Sequence, residues 1–365
     1  MSRYRADRLF LGIVIILVSV GFFLFVSASL GVLARNTSQF SNIVFNQGLF
    51  GLVGGTTALI VHTNIPYRLL RPYALYIFLF ALFTTTLVFV PQISFSAGGA
   101  TRWLSLGPFS FQPSELLKIG FVIYFAALLA NSGEHIRTFS RGLLPFLGLL
   151  GAVGAVLVAQ PDIGTFGVIV AAGFAMFFVS GARMRDLFGL VVLGALSLGA
   201  LAFSYPYVMS RIMLFLDPAA DPLGRGYQIQ QALIAIGSGE MFGRGFGQSI
   251  QKFNFLPEPI GDSIFAVTSE EFGFVGAAAL IFVFLAFAFR GLRIAVKTPD
   301  RFGMLLVVGI ITLITFQSLA NIGALLGVLP LTGIPLVFVS HGGSALFIAL
   351  AEIGIVLNIS KHQKG

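Results

Sequence analysis

The chain has no cysteine in 365 residues, and only 10% of its residues are charged. The first absence excludes disulfide staples and thiol catalysis. The second excludes an ordinary soluble domain, where roughly 25% of residues carry charge. Tryptophan occurs once, as Trp103. The four histidines (His62, His135, His341 and His362) stand far apart, without the spacing of a metal-ligand set. What the chain has instead is apolar length. Hydrophobic residues make up 57% of it, and the mean hydropathy is +0.95. Apolar runs of about 20 residues cross a bilayer as helices. The expected class is an all-α polytopic membrane protein. A net charge of +8 does not point to nucleic acid, because the basic residues are scattered between apolar runs rather than gathered on one face.

Ten spans are expected, near 9–34, 43–62, 73–91, 115–131, 142–159, 163–180, 187–205, 263–289, 303–328 and 341–359. The run from Leu9 to Ala34 follows a basic segment but is too long for a signal-peptide core, so it reads as an uncleaved first span. An even number of spans puts both termini on one side. With the termini cytoplasmic, 15 of the 22 basic residues fall in cytoplasmic segments, from Arg3 and Arg5 to Lys361 and Lys364. The rest are Arg35, Arg102, Lys118, Arg211, Arg225, Arg244 and Lys252. This bias gives an N-in, C-in orientation. Residues 1–365 form one membrane domain, and the extracytoplasmic loop 205–262, between the seventh and eighth spans, belongs to it.

The acids invert the pattern: ten of 14 lie on the outer side or in spans. Loop length explains Asp217, Asp221 and Glu240. Glu115, Asp162 and Asp262 sit at span ends, and Glu270 and Glu271 lie inside the eighth span. A carboxylate in hydrocarbon is costly and marks a functional site by default. The plainer expectation for Glu270 and Glu271 is that one hydrogen-bonds within the bundle and the other reaches an aqueous cavity. Asp162 and Asp262 also suit N-caps of the sixth and eighth spans. Glu115 and Lys118, three residues apart, share a helix face as an ion pair or as part of a site. The outer loop 91–114 suits a re-entrant or interfacial fold anchored by Trp103. Within the second loop, Tyr227–Ile236 reads as a short helix ended by Gly237. Gly243–Ser249 follows as a glycine-rich turn with an arginine. Such turns hold phosphate on backbone N–H groups or simply reverse the chain.

Several blocks resemble the SEDS family (shape, elongation, division and sporulation). They are A-T-R-W-L-S-L-G-P-F-S-F-Q-P-S-E-L-L-K (100–118), Q-P-D-I-G-T (160–165), R-I-M-L-F-L-D-P-A-A-D-P-L-G-R-G-Y-Q (211–228), I-A-I-G-S-G-E-M-F-G-R-G (234–245), F-L-P-E-P-I-G-D-S-I-F-A-V (255–267) and N-I-G-A-L-L-G-V-L-P-L-T-G-I-P-L-V-F-V-S-H-G-G-S (321–344). G-Y-Q and L-T-G-I-P-L resemble the division members (FtsW type) more than the elongation members (RodA type). The chain departs from the family where H-T-D is usual and Ile260-Gly261-Asp262 stands, and where S-Y-G-G-S-S is usual and Ser340–Ala345 reads S-H-G-G-S-A.

The resemblance implies a peptidoglycan glycosyltransferase of the bacterial cytoplasmic membrane. It would polymerise lipid II on the outer face with inversion, releasing polyprenyl diphosphate. Its implied partners are a class B penicillin-binding protein, other division or elongation proteins, and membrane lipids. A sugar hydroxyl is a poor nucleophile, so a base is needed, worth typically about 10²–10⁴-fold; Asp262 is the candidate. The diphosphate leaves readily and needs cations: Arg102 and Lys118, with Arg211 and Arg244. Gln112, Ser114, Glu115 and Asp162 complete the expected substrate-binding set. A divalent cation (Mg or Mn) on the diphosphate is compatible, though no ligand cluster demands one. Two alternatives stand beside this. One is a lipid II flippase, with Lys118, Glu115, Glu270 and Glu271 lining the path. The other is a non-catalytic activator of a partner penicillin-binding protein.

Overall fold

A computed structural model describes residues 6–97, 100–106, 109–217, 224 and 226–363. Arg3, Arg5, Asp221, Arg225 and Lys364 lie outside the described residues. The helices are α1 (Arg8–Leu33), α2 (Phe40–Asn64), α3 (Tyr67–Phe89), α4 (Pro113–Ser132), α5 (Phe139–Ala159), α6 (Ile163–Val179), α7 (Met184–Ser204), α8 (Pro206–Leu216), α9 (Tyr227–Ser238), α10 (Ile264–Lys297), α11 (Arg301–Leu325) and α12 (Gly343–Ser360). Among the described residues nine are long and apolar enough to cross a membrane. The tenth expected span, α6, has 17 residues, the lower end of the range for a crossing.

The core is built from α4, α11 and α12, which are mostly buried, while α7 is almost wholly exposed. α12 packs along the second half of α2, α3 against α4, and α11 against α4, α6 and α10. The burial follows composition. The central helices carry the polar residues Glu115, Lys118, Gln317, Asn321 and Glu352, which need partners in a low-dielectric interior. The peripheral helices present Phe80, Phe188 and Phe282 outward, where lipid accepts them.

Contacts between segments separate the two ends. At one end Asp7 caps α1 by accepting from the Phe10 N–H (2.9 Å) and pairs with Arg290 at 2.7 Å. Nearby, Arg301 donates to the Ser180 carbonyl and Lys361 to the Thr63 carbonyl, each at 2.7 Å, while Tyr67 donates to Asp300. These are the segments assigned to the cytoplasm from their basic residues. The other end gathers the sheet, α8, α9 and the loops around residues 257–262 and 326–342.

Two parts of the outer end differ from expectation. Segment 91–114 is a three-stranded antiparallel sheet, β1 (Ser94–Ala97), β2 (Ala100–Leu106) and β3 (Phe109–Phe111), in the order β1-β2-β3. Phe95 lies opposite Trp103 and stacks on it. Cross-strand aromatic pairs of this kind stabilise a small sheet, so Trp103, on the central strand, packs within the sheet. The second loop contains α8, which was not expected, and α9, which runs two residues beyond Ile236. Gly237 therefore lies inside that helix and does not end it.

α10 is broken at Gly273 (φ 64°, ψ −164°). The Phe274 and Val275 N–H groups, which in an unbroken helix would donate four residues back, donate instead to the carbonyls of Glu240 (2.8 Å) and Met241 (3.1 Å). The freed carbonyls of Glu270 and Glu271 accept from the N–H groups of Arg244 (3.0 Å) and Gly245 (2.9 Å). A loop strand thus replaces the helix's own bonds. Gly273 and Gly243 both have positive φ, and a Cβ on either would overlap the other segment's backbone.

Candidate active site

The turn before α10 places Asp262. Glu258 lies between Pro257 and Pro259 in the left-handed region (φ 47°), and its carbonyl accepts from the N–H groups of Gly261 (3.0 Å) and Ser263 (3.2 Å). The end of α11 and the loop after it lock this turn. Asn321 Nδ2 donates to the Asp262 carbonyl (2.7 Å) and the Ile334 carbonyl (2.8 Å). Ser340 Oγ donates to the Gly261 carbonyl and the His341 N–H to the Ile260 carbonyl, both at 2.7 Å. The N-cap of α10 is Ser263, one residue beyond the expected cap at Asp262. The Asp262 carboxylate is therefore free of capping and accepts from Gln228 Nε2 (3.1 Å), which also donates to Ser263 Oγ (3.1 Å).

The cations face this carboxylate from two other elements. Arg211, on α8, donates through Nη1 to the Thr332 carbonyl at 3.1 Å. Arg102, on β2, donates to the Gln160 carbonyl (3.4 Å) and the Pro161 carbonyl and pairs with Asp162 at 3.6 Å. Asp162 stands at the N-cap position of α6 but makes no capping bond. It instead accepts from Ser114 Oγ (3.3 Å) and orients Arg102. The Tyr207 hydroxyl and Thr332 Oγ1 are buried and have no hydrogen-bond partner among the described residues.

Burial, helped by the negative charge of Glu258, raises the Asp262 pKa to about 6; the Gln228 hydrogen bond and Arg211 oppose this. Burial and then the like charge of Arg102 lower that of Arg211, which remains a cation. Burial lowers His341 to about 4, so it is neutral at physiological pH.

Arg102, Gln112, Asp162, Arg211 and Asp262 line one cleft of about 1510 Å³, together with Tyr207, Gln228, Glu258, Gly333 and His341. Of the other candidates, Ser114 stands behind Asp162. Glu115 and Lys118 form a buried pair at 2.8 Å, and Lys118 also donates to Gln317, whose amide holds the Pro335 carbonyl (3.0 Å). They brace the wall without lining it. Arg244 is elsewhere, 3.7 Å from Glu270.

The glycine-rich turn does cradle an anion, but one of the chain's own. Glu270 accepts from Ser249 Oγ (2.5 Å) and from the N–H groups of Ile250 (3.0 Å) and Gln251 (3.2 Å). Glu271 pairs with Lys252 at 2.7 Å and accepts from Ser27 Oγ. Both carboxylates are buried, so the expectation that one reaches an aqueous cavity is corrected.

Sequence reasoning assigned no role to Gln228, Asn321, Tyr207 or Gly333. Gln228 and Asn321 carried a signal, as polar residues on otherwise apolar helical stretches within the quoted blocks. Tyr207 lies in the outer loop 205–262, ahead of the quoted block at 211–228, and carried no signal of its own.

Membrane-crossing helices around a polar core, nine of them long and apolar enough among the described residues, with a carboxylate and two arginines facing one cleft at the outer end, define a multi-pass membrane protein with an anion-competent outer site. The sequence pattern of the family FTSW_RODA_SPOVE, described as "Cell cycle protein", matches residues 7–365. Stage V sporulation protein E of Bacillus subtilis is 37% identical over 363 residues, 100% of this chain and 99% of its own length. The probable peptidoglycan glycosyltransferase FtsW of Geobacter metallireducens is 37% identical over 99% of this chain and 96% of that protein. A chain of a solved peptidoglycan synthase complex superposes with TM-score 0.81 at 28% identity, covering 98% of this chain and 99% of that one. The rod shape determining protein RodA of Thermus thermophilus gives 0.70 at 26%, covering 99% and 98%. The chain belongs to this family, the SEDS proteins of FtsW/RodA type, and is a multi-pass protein of the bacterial membrane.

Proposed function

We propose that the chain is a peptidoglycan glycosyltransferase that polymerises lipid II at the outer face of the membrane, with a role in division. The observation that carries this reading is the pairing, in one outer cleft, of a raised-pKa carboxylate with arginines. Asp262 takes the proton from the attacking sugar hydroxyl as the glycosidic bond forms. The anomeric carbon inverts, and the polyprenyl diphosphate departs with the bonding electrons. Arg102 and Arg211 bind the diphosphate, and the buried hydroxyl of Tyr207, which lines the same cleft, is placed to donate to it. One carboxylate with a cationic patch suffices, because a diphosphate leaves without a general acid. Among the described residues no three metal-binding side chains converge. Any Mg or Mn would therefore be carried by the diphosphate and at most one or two carboxylates such as Asp262 and Glu258. A class B penicillin-binding protein is the proposed partner, in keeping with the synthase complex in which a similar chain occurs.

Transport would require Lys118, Glu115, Glu270 and Glu271 to share a passage, yet they lie in two separate buried networks. The test is lipid II polymerisation by the purified protein, alone and with a partner whose transpeptidase site is inactive. Glycan ladders from the wild type, absent with a folded Asp262→Asn protein that still binds the partner, support the reading. Ladders of equal strength from Asp262→Asn overturn the base assignment, and scrambling of lipid II in vesicles without ladders overturns the polymerase.

A further inference from the structure

The segment from Gly239 to Lys252 belongs by sequence to the outer loop, but its neighbours lie well inside the spans. Two rulers measure its depth, both starting from the Asp7–Arg290 pair at the cytoplasmic end. Along α10, Phe274 stands about 24 Å above Arg290 at about 1.5 Å per residue, and the backbone of Phe242 touches Gly273. Along α1, Phe23 stands about 22 Å above Arg8 by the same rise, and Phe246 stacks on it with ring centroids 4.3 Å apart. The hydrocarbon layer is about 30 Å thick. The two rulers agree that residues 241–246 lie below the outer boundary of that layer.

Irregular backbone survives at this depth only when its polar groups are satisfied internally. Contact with α10 meets that condition for part of the segment. The exchange of bonds with broken α10 satisfies Glu240, Met241, Arg244 and Gly245, and the Gly243 N–H donates to the Gly239 carbonyl (2.8 Å). Two of its charges are matched, Arg244 with Glu270 and Lys252 with Glu271 and Ser27, while Glu240 beside the tip is exposed. The large exposed side chains at the tip are apolar, Met241, Phe242 and Phe246, with Glu240, Arg244 and Gln248 exposed beside them. Phe242 is 80% exposed and Phe274 65%, and they continue the exposed stripe of Phe282 and Phe289 along α10.

We propose that residues 239–252 form a re-entrant wedge whose tip, Met241 and Phe242, is seated in the acyl chains of the outer leaflet. The occupant of this surface is lipid hydrocarbon. The wedge holds α1 to α10 and, ten residues on, sets the height of the Asp262 turn relative to the bilayer.

The absence of cysteine makes the test direct. Single cysteines at Phe242 and Met241 are labelled with a nitroxide in vesicles of phosphatidylethanolamine and phosphatidylglycerol. Ser105→Cys on the outer sheet reports water, and Phe282→Cys reports lipid. Accessibility to oxygen is compared with accessibility to a water-soluble nickel chelate. The expected oxygen-to-nickel ratio at both positions is close to that of Phe282 and severalfold above that of Ser105. A ratio like that of Ser105 at both positions overturns the proposal. Protection from both reagents also overturns it, by showing protein rather than lipid on the tip.

Discussion

Asp262 and Arg211 face each other across Gly333. A methyl group built on Gly333 would sit 3.8 Å from Asp262 Oδ2 and 3.6 Å from Arg211 Nη2. No ion pair closes this gap among the described residues, and the Gly333 backbone (φ 65°) floors it. The space between carboxylate and guanidinium is where a hydroxyl and a diphosphate can meet.

Filling that space should stop the reaction. Gly333→Ala places a methyl between the two groups and forces a side chain into the left-handed region, at roughly 1–2 kcal/mol. Displacement of reacting groups by about 1 Å can cost about 10²-fold. Polymerisation is expected to fall by that order while the protein stays monodisperse. An unchanged rate would show that the reaction does not occur across this gap.

The base assignment fixes the sign of the pH dependence. Asp262 acts only when ionised, and its pKa is raised to about 6. Activity should therefore be present above pH 6 and be lost as pH falls through 6. The limb belongs in kcat/KM, which reports the free enzyme. His341, lowered to about 4, adds no limb in this window. Asp262→Asn should lose about 10²–10⁴-fold and abolish the limb, as read from initial rates of ladder formation between pH 5 and 8.

Gln228 tunes that limb. Its hydrogen bond favours the ionised carboxylate, so Gln228→Leu should move the acid limb to higher pH. Loss of activity at pH 6.5 that is partly restored at pH 8 separates this effect from damage to the fold, which would lower the rate at every pH.

Lys252 is expected to govern stability. It is fully buried against Glu271 and Ser27. Lys252→Met leaves Glu271 buried without its counter-charge, a change that typically costs about 3–5 kcal/mol. The thermal midpoint in detergent should fall sharply, and pairing it with Glu271→Gln should recover much of the loss. A single variant as stable as the wild type would show that the pair does not hold α1 to α10.

Much of the bundle was legible because span length and basic-residue bias are additive along the chain: apolar runs and cytoplasmic arginines need no partner to be recognised. The outer end was less so. The sheet at 94–111 is held by cross-strand pairing of Phe95 with Trp103, which no local period reveals. The break in α10 depends on a loop 30 residues earlier lending its N–H groups. Asp262 was visible as a carboxylate at a span mouth, whereas Gln228 and Gly333 acquire meaning only when α9 and the post-α11 loop converge on it.

The structure divides Arg211 from Arg244, which the sequence treated alike. Arg211 and Arg102 line the cleft with Asp262, whereas Arg244 pairs with Glu270 on the far side of α10's start. Charge-assisted bonds to an anion from arginine are strong and geometrically specific, so Arg211→Ala should raise KM for lipid II about tenfold or more. Arg102→Ala should do the same and also release Asp162. Arg244→Ala removes a partly exposed partner of Glu270, which keeps its bonds to Ser249, Ile250 and Gln251, so kcat and KM should stay near wild type. Steady-state rates across a lipid II titration decide the matter. If Arg244→Ala raises KM as much as Arg211→Ala, the diphosphate does not lie where the cleft puts it.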